Sequence, residues 1–132
     1  PLFLLHDHRG SYDAAPVSLI SRQTVARIAE ECGVPEDPWR YRPNLLINLE
    51  NGKAFDELNW AGRILRVGNE ARISVTEVNV RCMMINLDPK DAKTSPEVLR
   101  SVAQQHGKCA GVYATVLTVG RIGAGDRVVF EN

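Results

Sequence analysis

A chain of 132 residues has room for one domain, and it is long enough to bury roughly two thirds of the surface its unfolded form would expose. Its 16 basic and 16 acidic residues cancel to a formal net charge of zero, so the broad positive field that attracts a phosphate backbone is missing and nucleic acid is not an expected partner. Three scattered cysteines argue against a disulfide framework and for a reducing compartment, and no apolar run approaches the roughly 20 residues that span a bilayer, so a soluble cytoplasmic protein without a membrane partner is expected.

From the start, Leu2 to Leu5 reads as a short strand, too short and too poorly preceded by positive charge for a signal peptide. A chain that opens at Pro1 rather than Met is expected to be trimmed or excerpted. His6 and His8 share one face at strand spacing and could hold a metal, although a polar exposed edge accounts for them as well. Ser21 then stands as an N-cap before Val25, Ile28, Ala29 and Cys32, and Gly33 closes the run as a left-handed residue would. That predicts an amphipathic helix of about three turns, with Cys32 an inert member of its buried stripe. Thr24, near the helix start, either supports the cap or helps hold a phosphate at the positive helix end.

Trp39 to Pro43 carries Arg40 and Arg42, whose stems could simply lie over the surface of a barrel. Strands are predicted over Asn44 to Leu49, Arg63 to Val67, Arg72 to Met84, Val112 to Val119 and Arg127 to Phe130. Between the first two, Phe55, Glu57 and Trp60 read as packing residues. In the long strand the apolar phase is odd at Ile73 and Val75 but even at Val78, Val80, Cys82 and Met84, which implies a bulge near Thr76 and Glu77. Cys82 and Val80 should then share a face that Arg81 does not, and Asp88-Pro89-Lys90-Asp91 ends the run as a turn.

A second helix has Ser95 as cap, Pro96 at its first position, Val98, Leu99, Val102 and Ala103 as its apolar face and Gly107 as terminator. His106 and Cys109 have a loosely zinc-like separation, but no set of four ligands at standard spacing exists, and Cys109 reads as a loop cysteine or a resolving thiol for Cys82. The glycines from Gly120 to Gly125 precede a strand rather than a helix and lack the Lys and hydroxyl of a phosphate loop, so they predict a turn. Many short strands with two helices give a fold that is mainly β with a few helices.

Cys82 is the first candidate for chemistry, because a thiolate is the soft ligand and nucleophile among side chains and Arg81 sets a positive charge beside it. On local sequence alone it reads equally as a small hydrophobe between Val80 and Met84. The Arg-Cys pair before Asp88-Pro89, the Arg-Pro-Asn of Arg42 to Asn44, Gly-Val-Tyr at Gly111 to Tyr113 and the Gly120 to Asp126 run together resemble the MOSC domain family, from about Asp13 to the C-terminus. The resemblance implies a single MOSC-type β-barrel domain over 1–132, without the preceding β-rich domain that larger members carry. It also implies molybdenum cofactor (molybdopterin), with Cys82 as the metal ligand and catalytic residue and Arg42, Asn44, Arg81, Tyr113 and Thr24 as cofactor-binding residues.

This chain departs from the family pattern at Ile85, where a Thr is usual, at Asp91-Ala92, where Thr-Gly is usual, and at Val80, where Ser is frequent. The implied activity is reduction of N-hydroxylated or N-oxide small molecules, with electrons from a separate reductase. Two other readings stay open: a carrier that passes persulfide sulfur from Cys82 to an acceptor, and a non-catalytic binding module. Substrate and oligomeric state are not encoded in any motif.

Overall fold

The computed structural model describes residues 14–131. Leu2 to Leu5 and the His6-Asp7-His8 group lie outside the described residues. Six strands, β1 (Val17–Ser21), β2 (Leu45–Ile47), β3 (Ile64–Val67), β4 (Ala71–Val80), β5 (Cys109–Thr118) and β6 (Val128–Glu131), form one sheet in the order β2-β1-β5-β4-β3-β6. Only β1 and β2 pair in parallel; every other neighbour is antiparallel. The sheet curls into a half-barrel, so that its two edge strands β2 and β6 line one hollow of about 750 Å³. No helix among the described residues is long and apolar enough to cross a membrane.

The central strand β1 was not legible as a strand, because Val17-Ser18-Leu19-Ile20-Ser21 is short and half serine-flanked. Tertiary pairing makes it one. Ser18 N–H and hydroxyl both reach Asn44 Oδ1, at 2.8 and 3.2 Å, which locks β1 beside the start of β2. Alternation then sends Leu19 into the core inside the half-barrel, with Leu65, Ile73 and Val75, and Ile20 into a second core between sheet and helices.

Helix α1 (Arg22–Cys32) starts and stops where its caps require: Ser21 Oγ accepts from Thr24 N–H at 3.1 Å, and Gly33 is left-handed at φ 67°. Helix α2 (Pro96–Gln105) begins with Pro96 at its first position, as read from sequence, although its side-chain cap is not Ser95. Instead Asn86 Oδ1 accepts from Leu99 N–H at 2.9 Å and Asn86 O from Ser95 N–H at 2.7 Å. Val98 and Val102 complete the second core with Val25, Ile28 and Ile85. Cys32 is half-buried at the edge of that core rather than sealed in it, its Sγ donating to Glu97 O at 3.6 Å.

Beneath α1 lies a buried carboxyl group. Glu57 is wholly buried and accepts from Ser21 N–H at 2.9 Å and from the Ser21 hydroxyl at 3.0 Å. Thr24 Oγ1, equally buried, accepts from Phe55 N–H at 2.7 Å. The turn that carries Phe55 and Glu57 is thereby tied to the β1–α1 junction.

Three register shifts break the β4–β5 ladder, the first between Arg72 and Ile73. From Val75 to Glu77 two steps on β4 face a single step on β5, from Ala114 to Tyr113, so Thr76 is the extra residue where the sequence phase had broken. From Cys109 to Val112 three steps on β5 face two on β4, and here Gly111 is left-handed at φ 75°. Its effect is to switch faces: Ala110 packs in the second core, while Val112 and Ala114 pack in the first. A Cβ on Gly111 would stand 2.5 Å from Leu19 O, so only glycine lets β5 approach β1 there.

Replacement Gly111→Ala is expected to cost roughly 2–4 kcal/mol of stability, from the left-handed backbone together with the clash on Leu19 O, measured by urea unfolding. Glu57→Ala leaves the Ser21 N–H and hydroxyl without their buried acceptor and is expected to cost roughly 3 kcal/mol in the same assay; a change below roughly 1 kcal/mol would show the network to be dispensable.

Candidate functional site

β4 ends at Val80, two residues earlier than needed to carry Cys82, and Cys82 instead opens a 3-10 turn over Met83–Asn86. Val80 and Cys82 face outward, with Val80 60% exposed, while Asn79 and Arg81 turn inward and are buried. Val80 and Cys82 thus share a face that Arg81 does not, as the alternation predicted, and with Met84 that face is exposed. They border a cavity of about 290 Å³ between the end of β4, the start of β1, β5 and the Arg-Pro-Asn segment.

The Arg-Pro-Asn segment is aimed by a turn of its own. Asp37 Oδ1 accepts from Trp39 N–H at 2.9 Å and starts the 3-10 turn Pro38–Tyr41, and Arg42, left-handed at φ 52°, ends it. Arg42 is exposed, lines the cavity and makes no ion pair among the described residues. Asn44 lines it too, but its Oδ1 already accepts from Ser18, which leaves the amide N–H₂ as the group it can offer.

Arg81 is buried, and its guanidinium is fixed by two carbonyls: Nε donates to Ala110 O at 2.7 Å and Nη1 to Tyr41 O at 2.9 Å. It also lies 5.5 Å from the centroid of the Tyr41 ring. Burial pulls the Arg81 guanidinium below the usual arginine range, and burial pushes the Tyr41 phenol above its usual value. Arg40 is the third cation of the cavity and is also buried, its Nη1 donating to Ile85 O at 3.0 Å and its Nη2 standing 3.5 Å from Asp88 Oδ2. It does not lie over the surface as one reading of the sequence had it. Tyr113, half-buried on β5, presents its ring to the same space.

Five of the six residues named from sequence thus meet at one cavity: Cys82, Arg42, Asn44, Arg81 and Tyr113. Thr24 does not. Its hydroxyl is wholly buried on Phe55 N–H and beside Ser21 Oγ, so it serves the α1 junction and is not among the groups that line the cavity. Sequence reasoning passed over Arg40 and Asn79. The signal for Asn79 was a polar residue sharing the odd phase of Ile73 and Val75; for Arg40 it was a second arginine two residues before Arg-Pro-Asn.

Electrostatically the cavity is one-sided among the described residues: three arginines line it and no described Asp or Glu does. Such a site favours an anion, and each guanidinium can address a phosphate or another planar anion through paired N–H groups. Elsewhere, His106 is occupied by Glu31, with Nε2 and Oε2 2.8 Å apart, and stacks on Phe55 at 3.7 Å. Cys109 lies in register with Val80, its Sγ donating to Gly107 O at 3.3 Å. The Gly120 to Asp126 run is a turn, with Asp126 Oδ2 accepting from Gly123 N–H at 2.8 Å.

The sequence profile of the MOSC domain matches residues 6–129. No curated protein matches the sequence significantly. Among solved structures, the fold is similar to YiiM from Geobacillus stearothermophilus, at a TM-score of 0.70 and 20% identity over 89% of this chain and 55% of that one. It is also similar to the YuaD protein from Bacillus subtilis (TM-score 0.62, 18% identity, 86% of this chain and 62% of that one). YiiM from Escherichia coli gives a TM-score of 0.63 at 18% identity, over 89% of this chain and 55% of its own. The chain spans little more than half the length of these neighbours, whose likeness establishes the fold alone. The profile match runs through the arginine, asparagine, cysteine and tyrosine that converge on the cavity, and on its extent the chain belongs to the MOSC domain family.

Proposed function

We propose that the cavity binds molybdenum cofactor, with Cys82 Sγ as the protein's ligand to the metal. The observation that carries this reading is the exposed, free Cys82 at the border of a cavity that, among the described residues, is lined by three arginines and no carboxylate. The residues fit the group. No three His, Cys, Asp or Glu side chains come together among the described residues, which therefore offer no protein-made metal cage. A single soft thiolate suits a metal whose remaining ligands arrive with an organic cofactor.

Each lining group has work in that arrangement. Arg42, exposed and without an ion-pair partner among the described residues, is placed to meet the cofactor's phosphate. Asn44 offers its amide N–H₂ while Ser18 fixes its carbonyl end, so the donor is oriented before any ligand arrives. Arg81 acts by holding the ends of β4 and β5 and the Tyr41 carbonyl in one frame, which places Cys82. Tyr113 adds a phenol that can donate to an anionic oxygen. When bound, the cofactor supplies two-electron oxygen-atom chemistry, and the substrates in view are N-hydroxylated or N-oxide small molecules reduced with electrons from a separate reductase.

A persulfide carrier is the second reading, favoured by the same exposed thiol, which an acceptor could reach without entering the cavity. Protein purified from molybdate-fed cells separates the two through metal analysis, fluorescence of oxidised pterin and sulfane sulfur. The wild type is expected to carry molybdenum and pterin together, and Cys82→Ser to lose at least about tenfold of the molybdenum with an unchanged unfolding midpoint. Sulfane sulfur that disappears in Cys82→Ser, with neither metal nor pterin in the wild type, would overturn the cofactor reading in favour of the carrier. Arg42→Ala is expected to reduce retained pterin about tenfold, and retention at the wild-type level would remove Arg42 from the site.

A further inference from the structure

Three exposed apolar side chains flank the thiol. Val80 is 60%, Met83 70% and Met84 46% exposed, and all three fall between positions 80 and 84, the stretch that also holds Cys82. The chain has two methionines, and both stand here in water. Large apolar side chains scattered singly over a surface are ordinary, whereas a cluster of them beside a reactive group marks a place where something apolar is bound.

Their placement divides the site into two kinds of surface. Val80 and Met84 line the same cavity as Arg40, Arg42 and Arg81, with Cys82 between them in sequence. An anion is drawn to the arginines, from which an uncharged apolar group gains little; on the rim the preference is reversed. Unbranched thioethers adapt their shape to what they meet, and their sulfur makes favourable contacts with aromatic rings. A protein partner needs roughly 800 Å² a side, spread over roughly 20–30 residues, and three side chains do not make such an interface.

We infer that Val80, Met83 and Met84 recognise the flat aromatic body of a small molecule at Cys82, so that under the cofactor reading the reducible substrate is an N-hydroxylated or N-oxide aromatic compound. The arginine-lined interior then holds the anionic cofactor while the rim meets the substrate, and the thiol lies where the two surfaces join. The reaction rests on the cofactor reading above. The aromatic preference of the rim does not, and it is measurable on cofactor-free protein.

The probes are two uncharged maleimides, which need no oxidant and release no leaving group: the thiolate sulfur bonds to one alkene carbon and a proton goes to the other. Cofactor-free protein is treated with N-phenylmaleimide or N-ethylmaleimide, and modification of Cys82 is followed by peptide mass spectrometry, each rate divided by that of the same reagent with glutathione. The wild type is expected to show about a fivefold preference for the phenyl reagent, and Met83→Gln combined with Met84→Gln, at exposed positions and with side chains of similar length, to lose it with an unchanged unfolding midpoint. Val80→Thr keeps the shape and adds a hydroxyl, and is expected to reduce the preference about twofold. Equal relative rates in the wild type would overturn the inference, as would a preference that survives in the double methionine variant. A wild-type dimer by light scattering that the double variant dissociates would also overturn it, by making the rim a contact between copies. The preference in a wild type that carries no pterin after growth on molybdate would uphold the rim as an aromatic site and sink the cofactor reading, with the substrate class that depends on it.

Discussion

The guanidinium of Arg81 holds together three segments that are distant in sequence. It reaches Ala110 O at the start of β5 and Tyr41 O at the end of the turn that presents Arg42, while its own backbone N–H donates to Lys108 O at 2.8 Å. A buried charge is tolerated where its donors are satisfied and a ring face lies alongside, and both conditions are met here by carbonyls and by Tyr41. The arrangement depends in turn on Gly111. Its missing side chain leaves room for Arg81 Nη2, which would stand 3.2 Å from a Cβ, as well as for the Leu19 carbonyl. Cys82 follows Arg81 directly, so whatever fixes the arginine also fixes the thiol at the border of the cavity.

The segment after Cys82 is braced from two further sides. Asn86 supplies the hydrogen bonds that start α2, and Arg40 holds Ile85 O and Asp88, so the turn carrying the thiol is pinned between a helix start and the Arg-Pro-Asn turn. Helix α2 and its packing against α1 thereby reach the site without contributing a lining residue. The apolar contacts of Ile85 with Val98 and Val102 supply the bulk of that attachment, and the polar contacts set its register.

Charge is distributed in the same local way. The chain as a whole is neutral, yet three arginines converge on a cavity that no carboxylate among the described residues lines. Net charge governs solubility and long-range steering; the affinity of a cavity follows from what lines it. Two of the three cations are held by backbone carbonyls, Arg40 facing Asp88 as well, while Arg42 is exposed.

Both helices were legible, because their caps and terminators are local: Ser21 with Gly33, and Pro96 at the head of α2, act through neighbours within a turn. The bulge at Thr76 was legible as well, since a break in period-2 alternation is visible in one strand alone. Cys82, Arg42, Asn44 and Tyr113 could be named from motif, but their convergence could not be derived from spacing. What only the tertiary structure decided are features that need a partner strand. β1 exists through Asn44 and Tyr113, and β5 passes from one core to the other at Gly111, where it carries an extra residue. Thr24 serves the fold because Phe55, 31 residues away, donates to it. Local grammar reports hydrogen bonds made within a few residues; which face a strand shows, and which polar groups go unpaired, is settled by chains that meet across the sheet.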